Sequence, residues 1–397
     1  MNIQLLGSLY PKDRYKEIEA RSKFFDAAGN ALQWALVDGF ISNNINLSII
    51  TTPSIKQYKS IIFKSSTFET VTNCKNHCIG FPDINGLKHL LIPHRVYKLL
   101  KSETNIIFIY SIQSKLVKAA CKFKKKKPNT KIVLMVTDLP QYMSGNKNLI
   151  YRALKKYDRI TVYNLFKDID GFVLLSKYMR EKLPINSKPY IVIEGIYSFE
   201  DSNYEKPKES KFENKTVLYS GTLARRYGII NLVKAFMSIQ NESYRLIICG
   251  SGDASNDIVN YSKIDNRIIF KGLIDRSEVL RIQSKAALLV NPRPFKGEYV
   301  KYSFPSKTIE YLASGTPTLL YKLPGIPNEY YKYCYTIEQP SIELLARKID
   351  EILSKDDQDL KEVGVKARKF ILKNKNAQKQ TFKIISFINS LTLKTDE

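Results

Sequence analysis

A lysine and a glutamate three residues apart, Lys307 and Glu310, have the types and the spacing to hold a phosphorylated sugar derivative. They follow Ser306, which we predict to cap the N-terminus of a short helix. Residues three apart lie on one face of a helix, and the first N–H groups of a helix bind phosphate. Lys307 would add positive charge there, and Glu310 would accept hydrogen bonds from sugar hydroxyls. A capped surface turn without a ligand is the alternative interpretation.

The elements that must position these residues alternate between strands and helices. Apolar strands are predicted at residues 3–6, 47–50, 106–110, 132–136, 172–175, 190–193, 217–220, 246–249, 268–270, 287–290 and 318–321. Helical periodicity covers residues 20–40 (including Phe24), 114–126, 229–239 and 365–391, with helix expected from residue 342 onward. Continuous apolar strands separated by helices indicate parallel sheets covered on both faces.

A polar stretch over residues 199–215 interrupts this alternation and predicts a domain boundary. We therefore assign residues 1–198 to a first domain, 216–375 to a second and 376–397 to a C-terminal helix. A chain of 397 residues is long enough for two domains with separate cores.

The net charge of +25 calls for an anionic partner, and the excess is greater in the N-terminal half, which includes the lysine run at 122–127. An anionic membrane, a polyanionic substrate and nucleic acid all suit such a surface, and a biased base composition is the alternative explanation. No helicase-type phosphate loop is present, and the 25 tyrosines are scattered rather than interleaved with charge. We therefore expect no nucleic-acid partner.

Cysteine usage and hydropathy indicate the compartment. Five cysteines is an odd and sparse number, typical of a reducing environment. No apolar run reaches the length of a membrane span and no signal peptide is visible, so a cytoplasmic protein is expected. Cys74 and Cys78, with His77 between them, lack a second ligand pair at finger-like spacing, so no metal site is predicted there.

Several strands of the second half end in residues that let a ligand approach the backbone. Gly221, Gly250, Gly272 and Pro292 each stand at or just after a predicted strand end. Ligands of open α/β sheets bind beyond the carboxyl ends of the strands. A ligand site in the C-terminal domain, next to Lys307, is the expected result.

Taken together, these motifs resemble the GT-B glycosyltransferases of retaining family 4 (glycosyl transferases group 1), of the bacterial surface-polysaccharide type. The resemblance covers nearly the whole chain and implies an α/β protein with two Rossmann-like domains facing across a cleft. It rests on Tyr219-Ser220-Gly221-Thr222-Leu223, Ile248-Cys249-Gly250-Ser251-Gly252, Phe270-Lys271-Gly272-Leu273, Val290-Asn291-Pro292-Arg293, and Ser303-Phe304-Pro305-Ser306-Lys307 running into Glu310-Tyr311-Leu312-Ala313-Ser314-Gly315.

The resemblance implies donor-binding roles in the second domain. Glu310 falls where relatives hold the nucleotide's ribose, and Lys307 and Ser306 fall where the chain approaches the pyrophosphate and donor sugar. Gly250 falls where the backbone nears the nucleotide.

Further donor contacts follow from the same resemblance. Gly272 and Leu273 fall where the chain touches the nucleobase. The family's basic pair falls on Thr222 and Tyr227 here, which is a departure, so one of the nearby Arg225 and Arg226 is expected to neutralise the diphosphate, and a solvated loop arginine is the alternative for each. Gly7, at the end of the first strand, would allow the donor's phosphate or the acceptor to approach, and an ordinary turn glycine is the alternative.

Two departures from the family pattern affect the catalytic assignment. Tyr302 stands where relatives often have a glutamate, and Glu298, four residues earlier, is the candidate substitute. Thr137 stands where many relatives have a histidine, which leaves Asp138 to orient the acceptor; a helix cap at the strand end is the alternative role for Asp138.

The expected chemistry uses a nucleotide sugar, UDP- or GDP-linked, as co-substrate, with no cofactor and no metal. Retention is implied by the resemblance alone. Asp168-Ile169-Asp170 precedes a strand rather than following one, so it should lie away from the ligand. The expected acceptor is a saccharide or a lipid-diphosphate-linked saccharide, met at the inner face of the membrane.

Three other functions stay open. A sugar-nucleotide epimerase on the same fold would need acid/base carboxylates and a histidine at the site, and His77, His89 and His94 lie away from the motifs. A basic nucleic-acid-binding protein with Rossmann-like domains is the second, and a non-catalytic relative is the third.

Overall fold

The computed structural model describes residues 1–22, 26–55, 62–70, 74–82, 84, 87–142, 149–198 and 211–393. The chain divides into two compact units, one of residues 1–199 with 376–397 and one of residues 200–375. Residues 199–210, which belong to the predicted linker, lie outside the described part.

The first unit is built on a largely parallel sheet. Its strands are β1 (Asn2–Gly7), β2 (Asn46–Thr51), β3 (Ile62–Phe63), β4 (Ser66–Phe68), β5 (Asn76–Cys78), β6 (Phe81–Pro82), β7 (Ile106–Tyr110), β8 (Lys131–Val136), β9 (Gly171–Leu174) and β10 (Tyr190–Val192). Eight of them form one sheet in the order β10-β9-β8-β7-β1-β2-β5-β4 within the described residues. All neighbours pair in parallel except β4 and β5. Strands β3 and β6 form a separate antiparallel pair.

Helices cover both faces of this sheet, and its central strands are therefore buried on both sides. They are α1 (Tyr15–Arg21), α2 (Ala27–Ser42), α3 (Leu87–Leu99), α4 (Ser114–Lys126) and α5 (Leu149–Asn164).

The second unit has a six-stranded sheet, fully parallel in the part of the chain that the structure describes. Its strands are β11 (Thr216–Ser220), β12 (Arg245–Cys249), β13 (Ile268–Gly272), β14 (Leu288–Asn291), β15 (Thr318–Tyr321) and β16 (Tyr335–Ile337), in the order β13-β12-β11-β14-β15-β16. Its helices are α6 (Ile229–Met237), α7 (Ser255–Ile264), α8 (Arg276–Lys285), α9 (Ser306–Ser314), α10 (Ile342–Leu353) and α11 (Asp357–Asn374). This is the strand order of a Rossmann fold.

A last helix, α12 (Ala377–Leu393), packs in the first unit. It lies along α2, where Gly39 leaves room for the Ala377 carbonyl and the Thr381 side chain. Its buried Gln380 donates to the Gly195 carbonyl at 2.8 Å.

Three boundary predictions were wrong. The helix predicted from residue 20 begins at Ala27, because Asp26 caps it by accepting the Gly29 N–H. The preceding α1 ends at Arg21, and Phe24 lies outside the described residues. The periodicity over 365–391 spans two helices, α11 and α12, between which Asn376 forms a strand bridge. Ser306 is the first helical residue of α9 rather than its cap; Pro305 occupies the cap position, and no side chain of the described residues caps that helix.

Candidate functional site

The strand order of the second unit marks one place for a ligand. Strand β11 lies between β12 and β14, so the chain connections leave it in opposite directions. A crevice forms at such a switch point beyond the carboxyl ends of the strands. Ser220 is the last residue of β11 and is followed by Gly221, and Asn291 is the last residue of β14 and is followed by Pro292 and Arg293.

Helix α9 is anchored at this switch point through Tyr311. The buried Tyr311 hydroxyl accepts the Ser220 N–H at 2.8 Å and donates to the Ser220 carbonyl at 3.1 Å. The other end of α9 stops at Gly315, which has the left-handed φ of 74° that glycine adopts without strain. Arg368 donates to the Ala313 carbonyl at 2.6 Å. Helix α9 is therefore fixed against the end of β11 through its middle and its C-terminal end.

Glu310 is the most constrained carboxylate of this site, with its side chain 16% exposed. Its Oε1 accepts from Gln283 Nε2 at 2.7 Å and from Lys307 Nζ at 3.0 Å, and Arg276 approaches Oε2 at 3.4 Å. Burial raises the pKa of Glu310, but the charges of Lys307 and Arg276, with the hydrogen bonds from Gln283 and Lys307, outweigh burial and lower the pKa to about 2. Glu310 is thus an ionised hydrogen-bond acceptor at neutral pH.

Two glycines bring the backbone close together next to Lys307. Gly250 has φ of 135°, and a Cβ there would overlap the Gly221 carbonyl oxygen. Gly221 has φ of 155°, and a Cβ there would lie 3.0 Å from the Lys307 Cε, so the lysine stem passes over this glycine. The structure therefore brings Gly250, Lys307 and Glu310 together around the end of β11.

The predicted arginines are engaged by neighbours. Arg225 forms an ion pair with Asp257, and its N–H donates to Asp253 at 2.8 Å. Arg226 lies over the Tyr227 ring at 5.0 Å. Both arginines stand on a short 3-10 turn that precedes α6. Their predicted contact with the diphosphate stays a prediction.

Arg293 is a cation that the sequence analysis quoted without giving it a role. Its guanidinium lies 5.3 Å from the ring centres of both Tyr227 and Tyr299, and it donates to Ser303 at 2.9 Å. The buried Arg293 Nε lacks a hydrogen-bond partner among the described residues. Its position directly after the strand end at Pro292 is the sequence signal that could have drawn attention to it.

Gly272 and Leu273 lie at the carboxyl end of β13, the outermost strand on this side of the sheet. The Gly250 N–H donates to the Gly272 carbonyl at 2.7 Å, which joins the ends of β12 and β13. Gly272 has φ of 65° and open space around its missing side chain. Leu273 is 80% exposed, so a flat apolar ring could pack on it.

Glu298 lies on a 3-10 turn with Tyr302, ahead of α9. It is exposed and accepts from the buried Tyr302 hydroxyl at 2.9 Å. The tyrosine that departs from the family pattern therefore contacts the glutamate proposed to replace the missing carboxylate.

In the first unit, the switch point lies between β1 and β7. Gly7 ends β1, but the space beside it is filled by the Gln33 amide, whose oxygen accepts the Ser8 N–H at 2.7 Å. Packing inside the unit therefore accounts for this glycine, and its predicted contact with donor or acceptor is untested. Ser111, which follows β7, has an uncommon φ of 65° that sequence reasoning missed.

Asp138 is exposed at the end of the neighbouring strand β8. Burial raises the pKa of Tyr110, and the negative charges of Asp26 and Asp138 raise it further. Asp138 is therefore near Tyr110 at the carboxyl edge of the sheet, where parallel sheets hold their ligands.

The Asp-x-Asp motifs of the chain lie away from the carboxyl edges of the two sheets. Asp170 accepts from Lys124 at 2.7 Å and from the Ile132 N–H at 2.7 Å, at the amino ends of β8 and β9. A second Asp-x-Asp, formed by Asp357 and Asp359, opens α11. Across the described residues, no group of three or more His, Cys, Asp and Glu side chains is arranged to hold a metal ion.

Comparisons with known proteins agree with this geometry. Residues 201–390 match the family Glycosyl transferases group 1. Among curated protein sequences, none matches this chain significantly. A sucrose-phosphate synthase from Thermosynechococcus elongatus superposes with a TM-score of 0.69 at 16% identity, covering 99% of this chain and 100% of the other.

Two further solved structures are similar over their whole length. The lipopolysaccharide outer core galactosyltransferase WaaB gives a TM-score of 0.63 at 14% identity, covering 98% of this chain and 99% of the other. TarM from S. aureus, solved in complex with UDP, gives 0.64 at 12% identity with the same coverage. At these identities the likeness shows the fold, which is GT-B. The two Rossmann-like units and the shared fold identify this chain as a GT-B protein, of which residues 201–390 match the glycosyl transferases group 1 family.

Proposed function

We propose that the protein transfers a sugar from a UDP- or GDP-linked donor to a saccharide or lipid-diphosphate-linked acceptor in cell-surface polysaccharide biosynthesis. The transfer retains the anomeric configuration and needs no metal. The donor binds in the second unit, and the acceptor binds at the carboxyl edge of the first.

The observation that carries this proposal is the arrangement around the end of β11. Lys307 and the first N–H groups of α9 offer positive charge for a diphosphate, and Arg293 adds a guanidinium from the end of β14. Glu310 is ionised and oriented, so it can accept from ribose hydroxyls. The exposed Leu273 suits the face of the base.

The proposed step breaks the bond between the sugar C1 and the β-phosphate oxygen and forms a bond from C1 to the acceptor oxygen on the same face. The departing phosphate oxygen takes the acceptor's proton. Lys307, Arg293 and the α9 N–H groups stabilise the negative charge that develops on the diphosphate. Asp138 orients the acceptor, and Glu298, held by Tyr302, contacts the donor sugar.

Metal independence is proposed because those cations replace the charge that a divalent ion would supply. Asp170 is occupied by Lys124 and the Ile132 N–H at the opposite edge of its sheet, which argues against a metal-bridging role for that Asp-x-Asp.

The nucleotide is tested by thermal unfolding with a panel of UDP-, GDP- and CMP-sugars, with EDTA present. We expect one nucleotide class to raise the Tm, because a ligand that binds only the folded state stabilises it. TarM was solved with UDP, which places UDP-sugars first in the panel. The absence of a shift with every nucleotide, together with tight binding to DNA, would contradict the proposal.

Replacing Lys307 by alanine is expected to weaken binding of the free nucleoside diphosphate about 10- to 100-fold, because a charge-assisted hydrogen bond to phosphate is lost. Affinity for the unphosphorylated nucleoside should fall much less, because Gln283 and Arg276 still hold Glu310. Isothermal titration calorimetry measures both. Lys234→Ala, which removes an exposed lysine of α6, is the matched control. Equal nucleoside diphosphate affinities for Lys307→Ala and the control would show that Lys307 does not contact the phosphates.

A further inference from the structure

Helix α5 of the first unit carries a stripe of large apolar side chains that point into solvent. Ile150, Leu154 and Tyr157 are 73%, 64% and 71% exposed. Their spacing of four and three residues places them on one face of the helix. Leu149 and Ile160, also exposed, widen this stripe.

This orientation is the reverse of that expected for a helix on the surface of a globular unit. Of the α5 side chains, Val162 alone is buried. At 100° per residue, Val162 lies about 150° around the helix axis from the centre of the apolar stripe. An ordinary surface helix buries its apolar stripe and exposes its polar face. The stripe of α5 is therefore not explained by the packing of its own unit.

Cations accompany the stripe. Helix α5 contains Arg152, Lys155, Lys156 and Arg159 against the single acid Asp158. Arg152 and Lys156 lie on the flank next to Leu149 and Ile160, and both are exposed.

The neighbouring helix adds further positive charge. Helix α4 packs against α5 and also against α3. Lys118 of α4 is exposed. Exposed cations therefore occur on the helix beside α5 as well as on α5 itself.

The charge decides between two occupants of this surface. A second copy of the chain would bring the same cations face to face, which is unfavourable for a protein of net charge +25. A bilayer with anionic headgroups offers negative charge at its surface and hydrocarbon just beneath it, which matches both sets of side chains. Within the described residues no helix is long and apolar enough to cross a bilayer.

We propose that α5 docks the protein on an anionic lipid bilayer, with its apolar stripe inserted at headgroup level and its cations on lipid phosphates. This inference deepens the proposed function, since it places the first unit at the surface where a lipid-diphosphate acceptor resides. Docking itself requires neither donor nor acceptor. It also differs from the sequence-based expectation, which placed the basic contact at the lysine run 122–127.

The test is co-sedimentation of the full chain with extruded vesicles, in 0.1 M salt, of phosphatidylcholine alone and of phosphatidylcholine with phosphatidylglycerol. We expect binding to the anionic vesicles alone. The double variant Leu154→Ser/Tyr157→Ser should lower the partition coefficient roughly tenfold for each side chain. An apolar side chain inserted at headgroup level contributes about half of the free energy of its full burial, and serine loses that contribution. Ile264→Ser/Phe382→Ser, which removes two exposed apolar side chains from other helices, should bind like the wild type.

The charge contribution is tested in parallel. Arg152→Gln/Lys156→Gln should weaken binding to anionic vesicles roughly fivefold for each cation. Lys361→Gln/Lys369→Gln changes the net charge equally at exposed sites on α11 and should have little effect. All α5 variants should keep the nucleotide-induced rise in Tm, so a failure of docking is distinguishable from a failure of the proposed donor site.

Two results would overturn the inference. One is vesicle binding by Leu154→Ser/Tyr157→Ser that equals the wild type, including the case in which neither binds. The other is a wild-type dimer in sedimentation equilibrium that becomes a monomer in the same variant while vesicle binding is unchanged, which would assign the stripe to a second copy of the chain.

Discussion

Glu310→Ala is expected to lower nucleotide-sugar affinity and the transfer rate at limiting donor by about 10²- to 10⁴-fold, because the variant loses the two charge-assisted hydrogen bonds that we propose between Glu310 and the ribose. The carboxylate is oriented before the donor arrives, since Gln283 and Lys307 hold its Oε1 and Arg276 faces its Oε2. A 2′,3′-dideoxy donor should bind the wild type and the variant almost equally, because it lacks the hydroxyls that Glu310 is proposed to bind. Calorimetric titration with both donors measures the difference.

The control for this variant is Glu338→Ala, which removes an exposed carboxylate paired with Lys322. Its donor affinity should match that of the wild type. Equal discrimination between the ribose and dideoxy donors in Glu310→Ala and the wild type would show that Glu310 does not contact the ribose.

The lowered pKa of Glu310 also sets a pH dependence of stability. A carboxyl whose pKa falls from 4.5 unfolded to about 2 folded stabilises the protein fully above pH 5 and loses that contribution as pH falls through this window. A difference of this size corresponds to up to about 3 kcal/mol at neutral pH. Glu310→Gln, which keeps the shape without the charge, should therefore be less stable than the wild type at pH 7, and the gap should narrow between pH 4.5 and 2 in urea unfolding.

The Rossmann architecture was accessible from the sequence because buried parallel strands leave continuous apolar runs. The predicted strands 106–110 and 318–321 and the predicted helix 114–126 agree with Ile106–Tyr110, Thr318–Tyr321 and Ser114–Lys126. The short strands β3 to β6 were missed, since pairs of two or three residues carry no periodicity. Helix α5 was missed as well: no helix was predicted between the strands at 132–136 and 172–175, although α5 connects β8 to β9 and its apolar residues recur at helical spacing.

The site was predictable where chemistry and local spacing coincide. Lys307 and Glu310 are one turn apart, so a single helix brings them together. The hydrogen bond from Gln283 to Glu310 depends on a contact between α8 and α9. The packing of the Arg293 guanidinium depends on the rings of Tyr227 and Tyr299. Such contacts between distant segments leave no signal in one sequence.

Gly250→Ala is expected to destabilise the second unit by more than about 3 kcal/mol, because its Cβ would overlap the Gly221 carbonyl oxygen at a φ of 135° that side chains rarely adopt. The obstacle is backbone, which no change of rotamer relieves. Gly272→Ala is the matched comparison, since Gly272 also has a positive φ, 65°, but open space around its missing side chain. Gly272→Ala should lower the free energy of unfolding by about 1 kcal/mol, which is the strain of the left-handed conformation alone.

Urea unfolding of both variants, followed by circular dichroism, measures these costs, and fluorescence of Trp34, the single tryptophan, reports the first unit separately. The first unit should respond to neither substitution directly. If Gly250→Ala and Gly272→Ala lower the free energy of unfolding equally, the close approach of the β11 and β12 strand ends is not what requires glycine at position 250. If Gly250→Ala costs several times more, that approach is a packing constraint present before any nucleotide binds. The backbone path beside Lys307 is then set by contact between strand ends, and the proposed diphosphate site is formed by the fold itself rather than by its ligand.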